Sequence, residues 1–117
     1  MAEILWVENN PRFIKAATGQ FLTAHRLTIV ADLAGARKLL AERSFDAILL
    51  DYDLDDGKGD ELLPDIARLA PRPPVIATSS HDRGNAALMS AGADVICGKT
   101  RFGGIDAAIE ACITREY

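Results

Sequence analysis

The sequence predicts an α/β domain of five βα units, with the strands in one doubly wound parallel sheet of order 2-1-3-4-5. Three observations carry this. Five short apolar runs recur along the 117 residues, each followed by a segment with apolar residues at helical spacing. Most of the runs are continuous rather than alternating, the mark of strands covered by helices on both faces. Crossovers between parallel strands are right-handed, and the common five-stranded arrangement of this kind has its topological switch point between strands 1 and 3.

Strand 1 is Ile4-Leu5-Trp6-Val7. Asn10 caps the first helix and Pro11 opens it, with Ile14, Ala17 and Phe21 along one face. Strand 2 is Leu27-Thr28-Ile29-Val30, and Asp32 caps a helix carrying Leu33, Ala36, Leu39 and Leu40. Strand 3 is Ala47-Ile48-Leu49-Leu50. The third helical stripe is Leu62, Leu63, Ile66 and Leu69, ended by Pro71, Pro73 and Pro74. Strand 4 is Val75-Ile76-Ala77, followed by a short helix from Gly84 to Ala91 that Gly92 closes. Strand 5 is Val95-Ile96-Cys97, and Ile105, Ala108, Ile109 and Cys112 make the last stripe. Each stripe reads as core packing.

Composition fits a single domain over residues 1–117. A 12.6 kDa chain folds to roughly 6,200 Å² of surface and buries about two-thirds of what it exposes unfolded, enough for a core without disulfides or structural metal. Apolar residues at 49% and charged residues at 26% disfavour disorder. Thirteen basic against seventeen acidic residues give a formal charge of −4, which argues against nucleic acid or a membrane surface as partner. Cys97 and Cys112 lack CxxC or Cys/His spacing, so a reduced, cytoplasmic protein is the simplest expectation. Neither a signal peptide nor a membrane-length apolar run is visible.

In such sheets ligands bind beyond the carboxyl ends of the strands, at the switch point. Glu8-Asn9-Asn10 follow strand 1, Asp51 to Gly57 follow strand 3, Thr78-Ser79-Ser80-His81 follow strand 4, and Gly98-Lys99-Thr100 follow strand 5. Glu8, Asn9 and Asp51 are therefore expected to converge, with Ser79 and Lys99 flanking them. Close carboxylates repel, and a hard divalent cation relieves them. Magnesium suits a shallow site with few protein ligands, a hydroxyl and an ammonium can hold phosphoryl oxygens, and an aspartate there can form an acyl phosphate. No glycine-rich cradle follows strand 1, which disfavours a flavin or dinucleotide.

The run Asp51-x-Asp53-x-Asp55-Asp56 fails as a calcium loop, with Asp56 where glycine is required and Leu62 where glutamate is. Asp53, Asp55 and Asp56 read as loop acids and His25 as helix-end surface. His81 reads as a solvated loop residue, near where water would approach an acyl phosphate. Trp6 reads as core or sheet edge.

At these residues the chain resembles the receiver domain of two-component response regulators, over essentially its whole length. "EILWVENNPRF" stands where the family has a strand and an acidic pair. "FDAILLDYDLDDGKGDELL" resembles the segment that holds the phospho-acceptor, which makes that residue Asp51 and the later glycine Gly59. "PPVIATSS" aligns Ser79 with the conserved Thr or Ser, with Thr78 as competitor, and "AGADVICGKT" makes Lys99 the lysine that contacts the phosphoryl group. The resemblance implies a flavodoxin-like (βα)5 fold and magnesium held by Glu8, Asn9, Asp51 and the Asp53 carbonyl.

The departures are specific. Asn9 replaces the principal metal-binding aspartate, which should weaken magnesium; the carboxylates of Asp53 and Asp55 are candidates to compensate. Asp55 replaces a proline. Ile96 stands where many receivers carry Tyr or Phe. Thr100 replaces the proline after the lysine, so the family's cis peptide is not expected. Ser79 to Lys99 is slightly tight, implying a short or irregular fourth helix.

The leading expectation is a signalling switch that accepts phosphoryl on Asp51 from a histidine kinase or phosphotransfer protein. It would act on an unidentified downstream protein, or pair with itself, through helix 4, strand 5 and helix 5. It is not an enzyme beyond its own phosphorylation and slow dephosphorylation. One alternative is a pseudo-receiver that binds partners without phosphate, motivated by Asn9, Asp55, Ile96 and Thr100. A small aspartate-nucleophile phosphohydrolase is the other, weakened because its motif should open the chain and because no acidic pair follows Lys99.

Overall fold

The structure is a computed structural model and describes residues 1–114. Its elements are β1 (Glu3–Val7), α1 (Pro11–Phe21), β2 (Arg26–Val30), α2 (Leu33–Glu42), β3 (Ala47–Leu50), β4 (Asp53–Leu54), β5 (Gly57–Lys58), α3 (Leu63–Ala67), β6 (Val75–Ala77), α4 (Asp82–Ala91), β7 (Val95–Ile96) and α5 (Ile105–Thr114). Short 3-10 turns at Gly59–Leu62 and Lys99–Gly104 lead into α3 and α5. The main sheet is parallel, in the order β2-β1-β3-β6-β7. This is the expected 2-1-3-4-5 topology, with β6 and β7 as the fourth and fifth strands of the sheet.

Continuous apolar strands form here because each residue meets one of two cores. Leu5, Val7, Ile48, Leu50, Val75 and Ala77 face one core. Ile4, Trp6, Ala47, Leu49 and Ile76 face the other. The edge strands β2 and β7 are only partly covered, with Ile29 and Ile96 exposed, so two-faced burial holds for the three central strands alone.

Local signals place the helix starts. Asn10 Oδ1 accepts from Phe13 N at 3.1 Å, and Asp32 Oδ1 accepts from Gly35 N at 2.7 Å. Gly92 ends α4 with φ 123°, the left-handed region that glycine enters freely.

Some expectations need correction. The acidic stretch after β3 is not a plain loop: Asp53 and Leu54 pair antiparallel with Lys58 and Gly57. Asp56 is a helix cap, accepting from Leu33 N and Ala34 N at 2.7 and 3.1 Å. The third helix stops at Ala67, before Leu69 and the prolines. The fourth starts at Asp82 rather than Gly84, because His81 caps it through Nδ1, which accepts from Gly84 N at 3.0 Å. His25 is not surface: its side chain is 1% exposed and joins Ala2 N to Asp106 on α5. Trp6 is core. Among the described residues the one cis peptide is Ala70–Pro71, so the bond after Lys99 is trans. No described helix is long and apolar enough to cross a membrane.

Candidate functional site

Register builds the site. Val7 pairs with Leu50, and Leu50 with Ala77. The next residues, Glu8, Asp51 and Thr78, therefore stand in a row just past the carboxyl ends of β1, β3 and β6. The backbone carries the row on: Asp51 N donates to Val7 O at 3.0 Å and Thr78 N to Leu50 O at 2.9 Å. All three are buried, Glu8 to 0% exposure and Asp51 to 4%.

Lys99 closes the row from the loop after β7. Its Nζ donates to Glu8 Oε2 at 2.8 Å and reaches Asp51 Oδ2 at 3.5 Å. An aromatic group steadies it from below. The ammonium lies 5.1 Å from the Phe13 ring centroid, and Phe13 packs edge-on to Phe102 at 4.9 Å, which stacks on Trp6 at 5.6 Å. Phe102 follows Lys99 in the same turn, so core packing fixes where the lysine can stand.

Burial pushes the Glu8 carboxyl above its ordinary pKa; the Lys99 hydrogen bond opposes this and the Asp51 charge adds to it. Asp51 is likewise raised, first by burial, with Lys99 opposing. Between the ordinary carboxylate range and these raised values, the folded state holds more protons than the unfolded chain. Stability therefore falls as pH rises through that window. Asp53 and Asp56 are shifted down, Asp53 chiefly by Lys58 and Asp56 by the Leu33 N–H, so their contribution is lost only below the ordinary range. The melting temperature without divalent cations is expected to fall as pH rises above the ordinary carboxylate range, and to fall less in Asp51→Asn. An equal slope in the two proteins contradicts this.

Ser79 sits beside the row, and its hydroxyl is engaged by the His81 backbone. Its Oγ accepts from His81 N at 3.3 Å, and its backbone is bracketed by Asn85: Ser79 N donates to Oδ1 at 2.9 Å, and Nδ2 donates to Ser79 O at 3.2 Å. Lys99 N also donates to Ser79 O at 3.2 Å, so the serine and the lysine share one backbone link. Thr78 lies next to Asp51 in register, and its buried Oγ1 has no partner.

Asn9 faces Asp55, with Nδ2 donating to Oδ1 at 3.0 Å. The Asp53 side chain is exposed and taken by Lys58 and by His81 Nε2, the latter at 3.0 Å. His81 is thus a cap and an acid partner, not a free loop residue. Sequence reasoning missed Asn85; the signal was a buried-side polar residue in a short helix directly after the strand-4 end.

Gly59 explains why the loop after β3 closes so tightly. Its N–H donates to Tyr52 O at 2.6 Å, and an added Cβ would lie 1.9 Å from Asp51 O. The requirement is close approach, since Gly59 does not have a positive φ.

The donor set is all hard oxygen, and Glu8 Oε1 is buried with no hydrogen-bond partner. An orphaned buried carboxylate oxygen beside a second carboxylate fits a small divalent cation.

This fold and pocket define a class: an α/β domain with a buried acidic pocket and a lysine at the sheet's switch point. The chain belongs to the response regulator receiver domain family, whose profile matches residues 4–102. It is similar to the receiver domain of a sensor histidine kinase from Pseudomonas aeruginosa that has a magnesium ion coordinated in its active-site cleft. That match has 25% identity and a TM-score of 0.82, covering 97% of this chain and 98% of that one. A Francisella response regulator receiver domain has the same fold at 18% identity, TM-score 0.85, with 98% of each chain covered. So does the receiver domain of a Syntrophus aciditrophicus histidine kinase, at 20% identity and TM-score 0.83, covering 100% of this chain and 96% of that one. No curated protein matches the chain.

Proposed function

We propose that this receiver is a phosphorylation-dependent switch. Its donor is a phosphohistidine on a histidine kinase or phosphotransfer protein, and its acceptor is Asp51. The observation that carries the reading is the Lys99 ammonium held between Glu8 and Asp51 at the switch point.

The Asp51 carboxylate attacks phosphorus, and the P–N bond of the donor breaks. The imidazole nitrogen leaves with the electron pair and takes up a proton, while Asp51 becomes an acyl phosphate. Lys99 is the cation nearest Asp51 and is suited to pair with a phosphoryl oxygen once the carboxylate is esterified. Ser79 would turn its hydroxyl from His81 N to another oxygen, drawing on the backbone link it shares with Lys99. Glu8 Oε1, Asn9 Oδ1, Asp51 and the Asp53 carbonyl would hold magnesium, which when bound neutralises charge on the phosphoryl oxygens. The magnesium in the cleft of the Pseudomonas receiver supports the same chemistry here. The domain would carry out its own phosphorylation and slow hydrolysis and turn over no separate substrate.

Output would pass through α4, β7 and α5 to a downstream protein or a second copy of the chain. In support, Met89 and Ile96 are exposed there. A cleft of about 640 Å³ lined by Ser79, Asn85, Gly98 and Arg101 adjoins the switch serine. Magnesium-dependent phosphorylation from acetyl phosphate, absent in Asp51→Asn, is the test.

A further inference from the structure

We infer that Asp55 is a positioning and charge-supplying residue of the cation pocket, making good the carboxylate that Asn9 lacks. The inference rests on reading the pocket as a magnesium site.

An amide has one oxygen, and a hard cation takes oxygen. A carboxylate accepts hydrogen bonds and cannot donate. Asp55 Oδ1 therefore holds the NH2 arm of Asn9, at 3.0 Å, and the arm left over is Oδ1, the atom able to ligate. With Asp55 absent, the amide could turn either way.

The hairpin assigns this task to Asp55 and not to its neighbours. Asp53 is paired with Lys58 and His81. Asp56 spends both carboxylate oxygens on the N-terminus of α2. Asp55 lies between the paired residues Leu54 and Gly57, at a turn whose two sides are thus anchored. The independent sign of a ligand is Glu8 Oε1, buried and unpartnered in the same pocket. With Asp55 counted, Glu8, Asp51, Asp55 and Lys99 give the pocket a formal charge of −2 instead of −1, which matches a divalent cation. Among the described residues, only His25, Asp106 and Glu110 bring three such ligand atoms within 4.8 Å of one another. Asp55 accordingly acts through Asn9 and through its charge, not as one of three convergent carboxylates.

The test is titration of magnesium chloride alone, by calorimetry and by Trp6 fluorescence, into the wild type and Asp55→Asn, Asp55→Glu, Asn9→Asp and Asn9→Asp/Asp55→Asn variants. Asp55→Asn should weaken magnesium about three- to fivefold, the size of an exposed charge interaction. Its melting temperature without cation should not change, because Asp55 is exposed. Asp55→Glu should retain most of the affinity. The loss on removing Asp55 should shrink in the Asn9→Asp background, where no amide needs orienting. Wild-type binding that Asp55→Asn leaves untouched overturns this inference alone. No magnesium binding by the wild type overturns it together with the magnesium reading of the pocket.

Discussion

Replacing Lys99 by alanine is expected to destabilise the cation-free protein by about 3–5 kcal/mol, the cost of stripping one partner from a buried ion pair. The Glu8 side chain is 0% exposed and that of Lys99 13%, so water cannot take over the lost contact. Glu8 Oε2 would keep only the Asn10 N–H, at 3.1 Å, and two buried carboxylates would face each other without a cation. Their pKa values, already raised by burial, would rise further, so the deficit should be larger at pH 7.5 than at pH 5. Magnesium should restore more stability to the variant than it adds to the wild type, since the ammonium no longer competes for the same oxygens. Lys99→Met removes the ammonium that lies over Phe13 but keeps an unbranched apolar side chain, and so separates charge from packing. Urea unfolding with and without magnesium reads all of this. A loss below about 1 kcal/mol, the range of exposed pairs, would mean the pair is not buried in solution.

Gly59→Ala is the second large effect. The added methyl would sit 1.9 Å from Asp51 O, 3.0 Å from Asp51 C and 3.3 Å from Leu88 Cδ2. Two of those three atoms are backbone, so no flexible tip can swing aside. The loop after β3 must shift, at about 3 kcal/mol or more, the upper end of overpacking costs. The shift falls on Asp51, the proposed acceptor, so phosphorylation should be lost even where the variant still folds. Gly19→Ala on α1 is the control: its Cβ would meet nothing within 4 Å, and a helix gains up to about 1 kcal/mol from the exchange. Equal melting temperatures for the two variants would contradict the close approach at Gly59.

Much of this architecture was legible because continuous apolar runs and capped stripes are local signals. β3 and β6 fall where the runs do, and parallel register alone then aligns Glu8 with Asp51. Lys99 was legible for the same reason, as the first charged residue after strand 5. What escaped depends on partners distant in sequence. His25 reads as surface until Asp106, 81 residues away, meets it. Asp56 reads as a loop acid until the start of α2, 23 residues earlier, takes its oxygens. The β4–β5 pairing spans two residues on each side, too short for a period, although the Asp-Asp-Gly composition was a turn signal. The engagement of the Ser79 hydroxyl by His81 N, beside the Asn85 bracket on its backbone, is a contact that no spacing rule gives.

In the proposed switch, Asp51 accepts a phosphoryl group in a pocket completed by Glu8, Asn9 and Lys99. Intact mass after incubation with acetyl phosphate, with and without magnesium, in the wild type and in Asp51→Asn, tests it most directly. One phosphoryl adduct that requires magnesium and is missing from the variant is expected. A folded wild type that gains no adduct at high magnesium would contradict it, and would make the domain a phosphate-independent binding module.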